Sequence, residues 1–206
     1  FLFNSLTSLS TLTRKSPELA QEITLKLAGF LRYSLSHGQR EWVRVRDELD
    51  HINDYLGIEK MRLGDRLECE FGVKPEAGVE ILPPFTLLPL VENAVKHGFQ
   101  QSLGSGTLRV SIDLTPRLLI IEVENPVEPG AHAEQGEGYG LVGLKKRLAN
   151  AYGDEAGMVV ARDEASFKVM LRLPRKGKEA GEQRGGMDEA GHEAVSGYGE
   201  KNGGEV

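Results

Sequence analysis

The apolar pattern of this chain changes its period near Arg66, and that change restricts the fold more than any other feature of the sequence. Before it, apolar residues recur at helical steps. Leu2, Leu6, Leu9 and Leu12 mark a first helix over 1–15. Ser16-Pro17-Glu18 reads as the start of a second, with Ser16 as N-cap and Pro17 in the first turn. Leu19, Ile23, Leu27, Phe30 and Leu31 form its stripe, and His37-Gly38 is its stop. A third runs from Asp47 to Leu63, with Leu49, Ile52, Leu56 and Leu63 on one side and Gly64-Asp65 closing it. Past Arg66, Leu67, Cys69 and Phe71 alternate with charges, which is the period of a strand. The segments 107–114 and 117–125 flank a Thr115-Pro116 turn, and 158–162 with 167–173 read as a closing pair, so two hairpins are expected. The segment 75–84 reads as a loop with one short strand at most. Two helices lie between these strands, one over 87–98 and one carrying Leu141, Leu144, Leu148 and Tyr152 before a stop at Gly153.

The chain is therefore expected to be α+β, with a helical segment at 1–65 and a mixed α/β unit at 66–174. Adjacent apolar helices commonly pair antiparallel, and two copies can complete a four-helix bundle, so a homodimer through 1–65 is expected. Residues 175–206 hold no Leu, Ile, Phe or Trp and are dense in Gly, Glu and Lys. Such a tail cannot offset its ordering entropy by burial, and disorder is expected there. The balance of 25 basic against 31 acidic residues, net −6, offers nothing to nucleic acid. A lone cysteine, Cys69, excludes an internal disulfide framework and a thiolate zinc cluster, fits a reducing compartment, and reads as a small buried hydrophobe. No apolar run reaches the ~18 residues of a membrane span, so membrane contact is not expected. The opening on FLFNSL without Met is expected of an excised fragment. His37, His51, His132 and His192 read as surface histidines, and Trp42 as a cover for the end of the helical bundle.

Two stretches carry chemistry. In Leu87–Gly98, Leu87, Leu88, Val91, Ala94 and Val95 define a buried face, while Asn93, Lys96 and His97 share the opposite one. An amide oxygen there can meet Mg2+ and an ammonium can meet phosphate, or the face is simply solvated. In Gly136-Glu137-Gly138-Tyr139-Gly140-Leu141-Val142-Gly143, alternate glycines lead into a helix, an arrangement that lets backbone N–H groups approach phosphate. It is not a Walker loop. Gly138, Gly140 and Gly143 do satisfy GxGxxG with Asp163 beyond, but a polar loop stands where a dinucleotide fold needs a strand, and the neighbouring strands read as hairpins.

Taken together, the two stretches resemble the ATP-binding domain of the GHKL superfamily (gyrase-type ATPases, the related heat-shock chaperone, histidine kinases and mismatch-repair proteins). Glu92-Asn93-Ala94-Val95-Lys96-His97-Gly98 is similar to its N box, and 136–143 to its second glycine box. Phe1-Leu2-Phe3-Asn4-Ser5-Leu6, the run from Tyr55-Leu56 through Glu59 and Arg62 to Arg66-Leu67, and Ile81-Leu82-Pro83-Pro84-Phe85 resemble the LytS-like sensor histidine kinases. That resemblance spans about 1–174. It implies a Bergerat-type sandwich, a mixed sheet with helices on one face. It also implies Mg-ATP as cofactor, with transfer of the γ-phosphoryl group to a histidine just before Phe1 and then to an aspartate of a response regulator.

By the same resemblance Asn93 ligates Mg2+, and Lys96 and His97 approach the phosphates. Gly136, Gly138, Gly140, Leu141 and Gly143 form the closing loop, Glu92 orients water or metal or simply caps the site, and Asn4 stands one turn from the acceptor. Asn125 occupies the place of the superfamily's adenine-binding aspartate, followed by Pro126 where glycine is common; a neutral acceptor there implies binding weaker by about 1 kcal/mol. The full protein is expected to be a membrane-anchored sensor whose cytoplasmic part this is. Lacking the acceptor, the fragment is expected not to phosphorylate itself. A non-catalytic nucleotide module and a gyrase-class ATPase are the alternatives.

Overall fold

In the computed structural model, residues 1–100, 104–127 and 139–176 are described. The helical period of the first segment becomes α1 (Leu2–Lys15), α2 (Pro17–His37) and α3 (Val45–Leu63). Ser16 stands at the start of α2 without a side-chain capping bond; its N–H instead donates to the Leu12 carbonyl, which keeps the chain turning between α1 and α2. Tyr33 meets His51, Gly29 meets Asp54 and Gly57 meets Lys26, so α2 and α3 run antiparallel. Gly29 and Gly57 have no side chain to hold the helices apart.

Between these helices Val43–Arg44 forms a two-residue strand, β1, that pairs with β3 (Ile81–Leu82) and ties the helical segment to the α/β unit. The main sheet has the order β2-β4-β5-β7-β6, built from Leu67–Val73, Gly106–Leu114, Leu118–Pro126, Ser166–Pro174 and Gly157–Arg162. β2 pairs with β4 in parallel, and the other pairings are antiparallel. α4 (Leu88–Val95) lies in the crossover between the parallel strands, and α5 (Tyr139–Tyr152) leads into the last hairpin.

Alternation sorts each strand by face. Val110, Val123 and Val169 stand in one cross-strand row and Ile112, Ile121 and Leu171 in the next, all buried. They join Leu90, Val91 and Val95 of α4, Leu141, Leu144 and Leu148 of α5 and Ile52 of α3 in one hydrophobic core. The opposite face is charged: Lys168 Nζ lies 2.9 Å from Glu122 and 3.4 Å from Glu124. Helices thus cover one face of a mixed sheet, the α+β architecture expected. Gly153 ends α5 with φ 62°, the backbone state that makes glycine an effective stop. Phe1–Arg175 cluster as one compact unit.

Candidate functional site

α4 presents the first wall of the site. Its apolar face is buried as the spacing requires, while Asn93 and His97 are half-buried and Lys96 is exposed. At Lys96 the helix changes to a π-helical turn, Lys96–Gln100, which buries Phe99 and carries His97. Turns of this type often mark functional positions because they re-aim side chains.

The end of β5 meets that turn. Gly98 sits so close to Asn125 that a Cβ on it would fall 2.9 Å from Asn125 Nδ2 and 3.1 Å from its Cβ. Asn125 is 1% exposed. Its Nδ2 donates to the Pro126 carbonyl at 2.8 Å, which orients the amide. Its Oδ1 is buried and has no hydrogen-bond partner among the described residues. A buried acceptor left this way costs about 1–3 kcal/mol, so the position suits a ligand that brings an N–H donor. The adenine amino group is such a donor, and the residues present fit ATP on this count.

The start of α5 supplies the third element. A Cβ on Gly140 would lie 3.7 Å from Pro89 Cβ, which sets the start of α5 against the first turn of α4. Leu141 is 2% exposed and its side chain belongs to the core. A Cβ on Gly143 would meet nothing within 4 Å. Glycine inside a helix costs about 1 kcal/mol relative to alanine, and no described neighbour of Gly143 requires it. Gly136 and Gly138 lie outside the described residues, as does His132.

Glu92 is half-buried beside Asn93. Burial pushes its carboxyl above the usual range; the amino group of Phe1 pulls it back, and Glu59 adds to the rise. The Phe1 ring is packed 4.9 Å from both Phe30 and Tyr55. Asn4, by contrast, is exposed on α1.

Two expectations are corrected. His51 is 1% exposed, its ring stacked between Phe30 at 4.5 Å and Tyr33 at 4.1 Å. It faces α2, where a flat aromatic slot accepts it. Trp42 packs edge-on against Tyr152 at 5.5 Å, so it joins the α2–α3 connection to the end of α5 instead of covering a bundle end. A cavity of about 230 Å³ opens between α2 and α3, with His37, His51, Asp50 and Asp54 in its lining. Sequence reading also missed Glu48 and Arg147, which hold the loop before α4. Glu48, His51, Tyr55 and Glu59 stand at helical spacing and are all buried, a second face of α3 hidden by its polar residue types.

Known proteins share both the sequence pattern and this fold. The model of the family described as "Histidine kinase" matches residues 1–67. Sensor histidine kinase BtsS of Escherichia coli K12 is 35% identical over 175 residues, covering 84% of this chain and 31% of that protein. Sensor protein LytS of Staphylococcus saprophyticus is 29% identical over 186 residues, covering 84% and 32%. The chain thus spans about a third of the length of the curated relatives it matches. Among solved structures, histidine kinase AdeS of Acinetobacter baumannii shares the fold with a TM-score of 0.51 at 11% identity, covering 84% of this chain and 96% of that one.

Proposed function

This chain is a homologue of the LytS-like sensor histidine kinases, and from that premise we propose that it is the catalytic core of a two-component kinase. Residues 66–174 form the Mg-ATP-binding domain and 1–65 the dimerisation and phosphoacceptor region. The observation that carries the reading is the Asn125 oxygen, buried beside Gly98 just past the N-box helix and without a partner among the described residues; the start of α5, against Pro89, flanks the other end of that helix. ATP supplies the transferable γ-phosphoryl group, and Mg2+ neutralises its charge. Asn93 holds the cation, Lys96 and His97 offset phosphate charge, and Asn125 accepts from the adenine amino group. Gly136, Gly138, Gly140 and Gly143 let backbone N–H groups approach the phosphates.

Phosphoryl transfer needs mostly alignment and charge compensation from protein groups. The γ-phosphorus–oxygen bond breaks with its electron pair leaving on ADP, and a nitrogen–phosphorus bond forms on the histidine before Phe1. Glu92, half-buried beside Asn93 with its carboxyl held above the usual range by burial, orients water or the metal, or caps the site. A receiver aspartate of a response regulator then takes the group. Exposed Phe3, Leu6, Leu25 and Leu35 on α1 and α2 support the homodimer. Among the described residues no helix is long and apolar enough to cross a membrane. Within the same proposal, the segment works on the cytoplasmic side of an anchored sensor.

The test restores a histidine before Phe1 and supplies Mg-ATP. Acid-labile, base-stable phosphate in the protein, abolished by Asn93→Ala, is the expected result; the chain that starts at Phe1 should bind nucleotide without labelling. One observation favours a second reading, a non-catalytic nucleotide module: the neutral Asn125 in the aspartate's place. Binding without transfer in the extended chain would select it, and steady phosphate release would select a gyrase-class ATPase.

A further inference from the structure

The loop that enters α4 is held from three sides. From α3, the buried Glu48 carboxylate accepts the N–H groups of Phe85 at 2.6 Å and Leu87 at 2.8 Å. From α2, the Tyr33 hydroxyl donates to Glu48 Oε1. From α5, Arg147 Nη1 donates to the carbonyls of Phe85 at 2.6 Å and Pro84 at 3.2 Å. Inside the loop, Thr86 Oγ1 donates to the Pro83 carbonyl at 2.6 Å. Phe85 has φ 58°, the sole positive value at a non-glycine among the described residues. A phenylalanine stays in that region only when its surroundings over-determine it, and here both its N–H and its carbonyl are claimed by charged side chains.

The Leu87 N–H belongs to the orphan donors at the start of α4, so Glu48 caps that helix from a different element. The loop is consequently where three parts of the molecule meet. α4 carries Asn93, α5 is the helix entered by the glycine stretch, and α2–α3 is the hairpin on which Phe1 is seated.

We propose that Glu48 and Tyr33 are positioning residues that fix the attitude of α4 against the α2–α3 hairpin and thereby align the nucleotide with the acceptor. This role rests on the kinase reading. Neither side chain lies on α4, β5 or the glycine stretch, so both leave the nucleotide's own contacts in place. What they set is the relation between two rigid pieces, and misplacement of reacting groups by about 1 Å can cost on the order of a hundredfold in rate.

The experiment uses the chain with the histidine restored before Phe1, comparing Glu48→Gln and Tyr33→Phe with the unsubstituted protein. Glu48→Gln puts an amide donor against N–H groups and loses one of their acceptors. Tyr33→Phe removes one hydroxyl and leaves both backbone bonds. The expected result is Mg-ATP affinity within about twofold of the parent, by calorimetry, with self-labelling slower by about tenfold for Glu48→Gln and about threefold for Tyr33→Phe. Should Glu48→Gln fail to fold by circular dichroism, Tyr33→Phe alone decides. Parental labelling rates in the folded variants would overturn the positioning role while leaving the kinase reading intact; so would a fall in affinity equal to the fall in rate. An unsubstituted extended chain that takes up no phosphate would overturn the kinase reading, and this inference with it.

Discussion

Lowering the pH from about 7.5 to about 5 should destabilise this protein through His51. The imidazole is 1% exposed, neither ring nitrogen has a hydrogen-bond partner among the described residues, and aromatic rings cover both faces. Burial, with a smaller contribution from the charge of His37, pulls its pKa from 6.5 down to about 4. The unfolded chain therefore takes up a proton near 6.5, while the folded chain resists until about 4. Between those values the unfolded state binds more protons, so stability falls as pH falls, by about 1.4 kcal/mol per unit. The loss amounts to about 2 kcal/mol by pH 5 and about 3 kcal/mol once the folded state itself titrates.

His51→Phe keeps a ring in the slot and removes the titration. Urea unfolding of both proteins at the two pH values, followed by far-ultraviolet circular dichroism, isolates the contribution as a difference of differences. Glu48, which burial drives upward and the Tyr33 hydroxyl and backbone N–H bonds pull down, is present in both proteins and cancels to first order. Equal pH losses in the two proteins would refute the argument.

Asn125→Asp should tighten Mg-ATP by about fivefold, roughly 1 kcal/mol, by restoring a charged acceptor. It should also lower the stability of the nucleotide-free protein, because a carboxylate cannot donate to the Pro126 carbonyl; calorimetric titration and thermal melts report the two effects separately. Gly98→Ala should cost about 1–3 kcal/mol in a melt, since its Cβ would fall 2.9 Å from Asn125 Nδ2. Gly143→Ala should stabilise α5 by up to about 1 kcal/mol, there being space for the methyl, and weaken nucleotide binding several-fold. Unchanged affinity there would remove Gly143 from the site.

The elements were legible wherever a local period reports burial. The helix over 141–152, its stop at Gly153 and both hairpins come directly from apolar spacing and turn residues. The π-helical turn that begins at Lys96, and so shifts the phase between Asn93 and His97, has no such local signal. Features that depend on partners distant in the chain left no such trace. The pairing of Val43 with Leu82, the parallel registry of β2 with β4 and the packing of Trp42 on Tyr152 each join segments whose proximity only the finished fold creates. His51 misled because residue type outweighed position: an imidazole read as solvated, yet the slot between Phe30 and Tyr33 accommodates it; Glu48 passed unnoticed because its partners, the loop amides at Phe85 and Leu87, are distant in the chain.

The strand order has a consequence for how the chain is made. β7 emerges last among the strands but inserts between β5 and β6, so β6 waits without its neighbour until 166–174 has left the ribosome. Until then β5 shows an open edge over Leu119, Ile121 and Val123, a ready template for another nascent copy. A product cut short before Ser166 would forfeit two strands at once, and inclusion bodies are its expected fate.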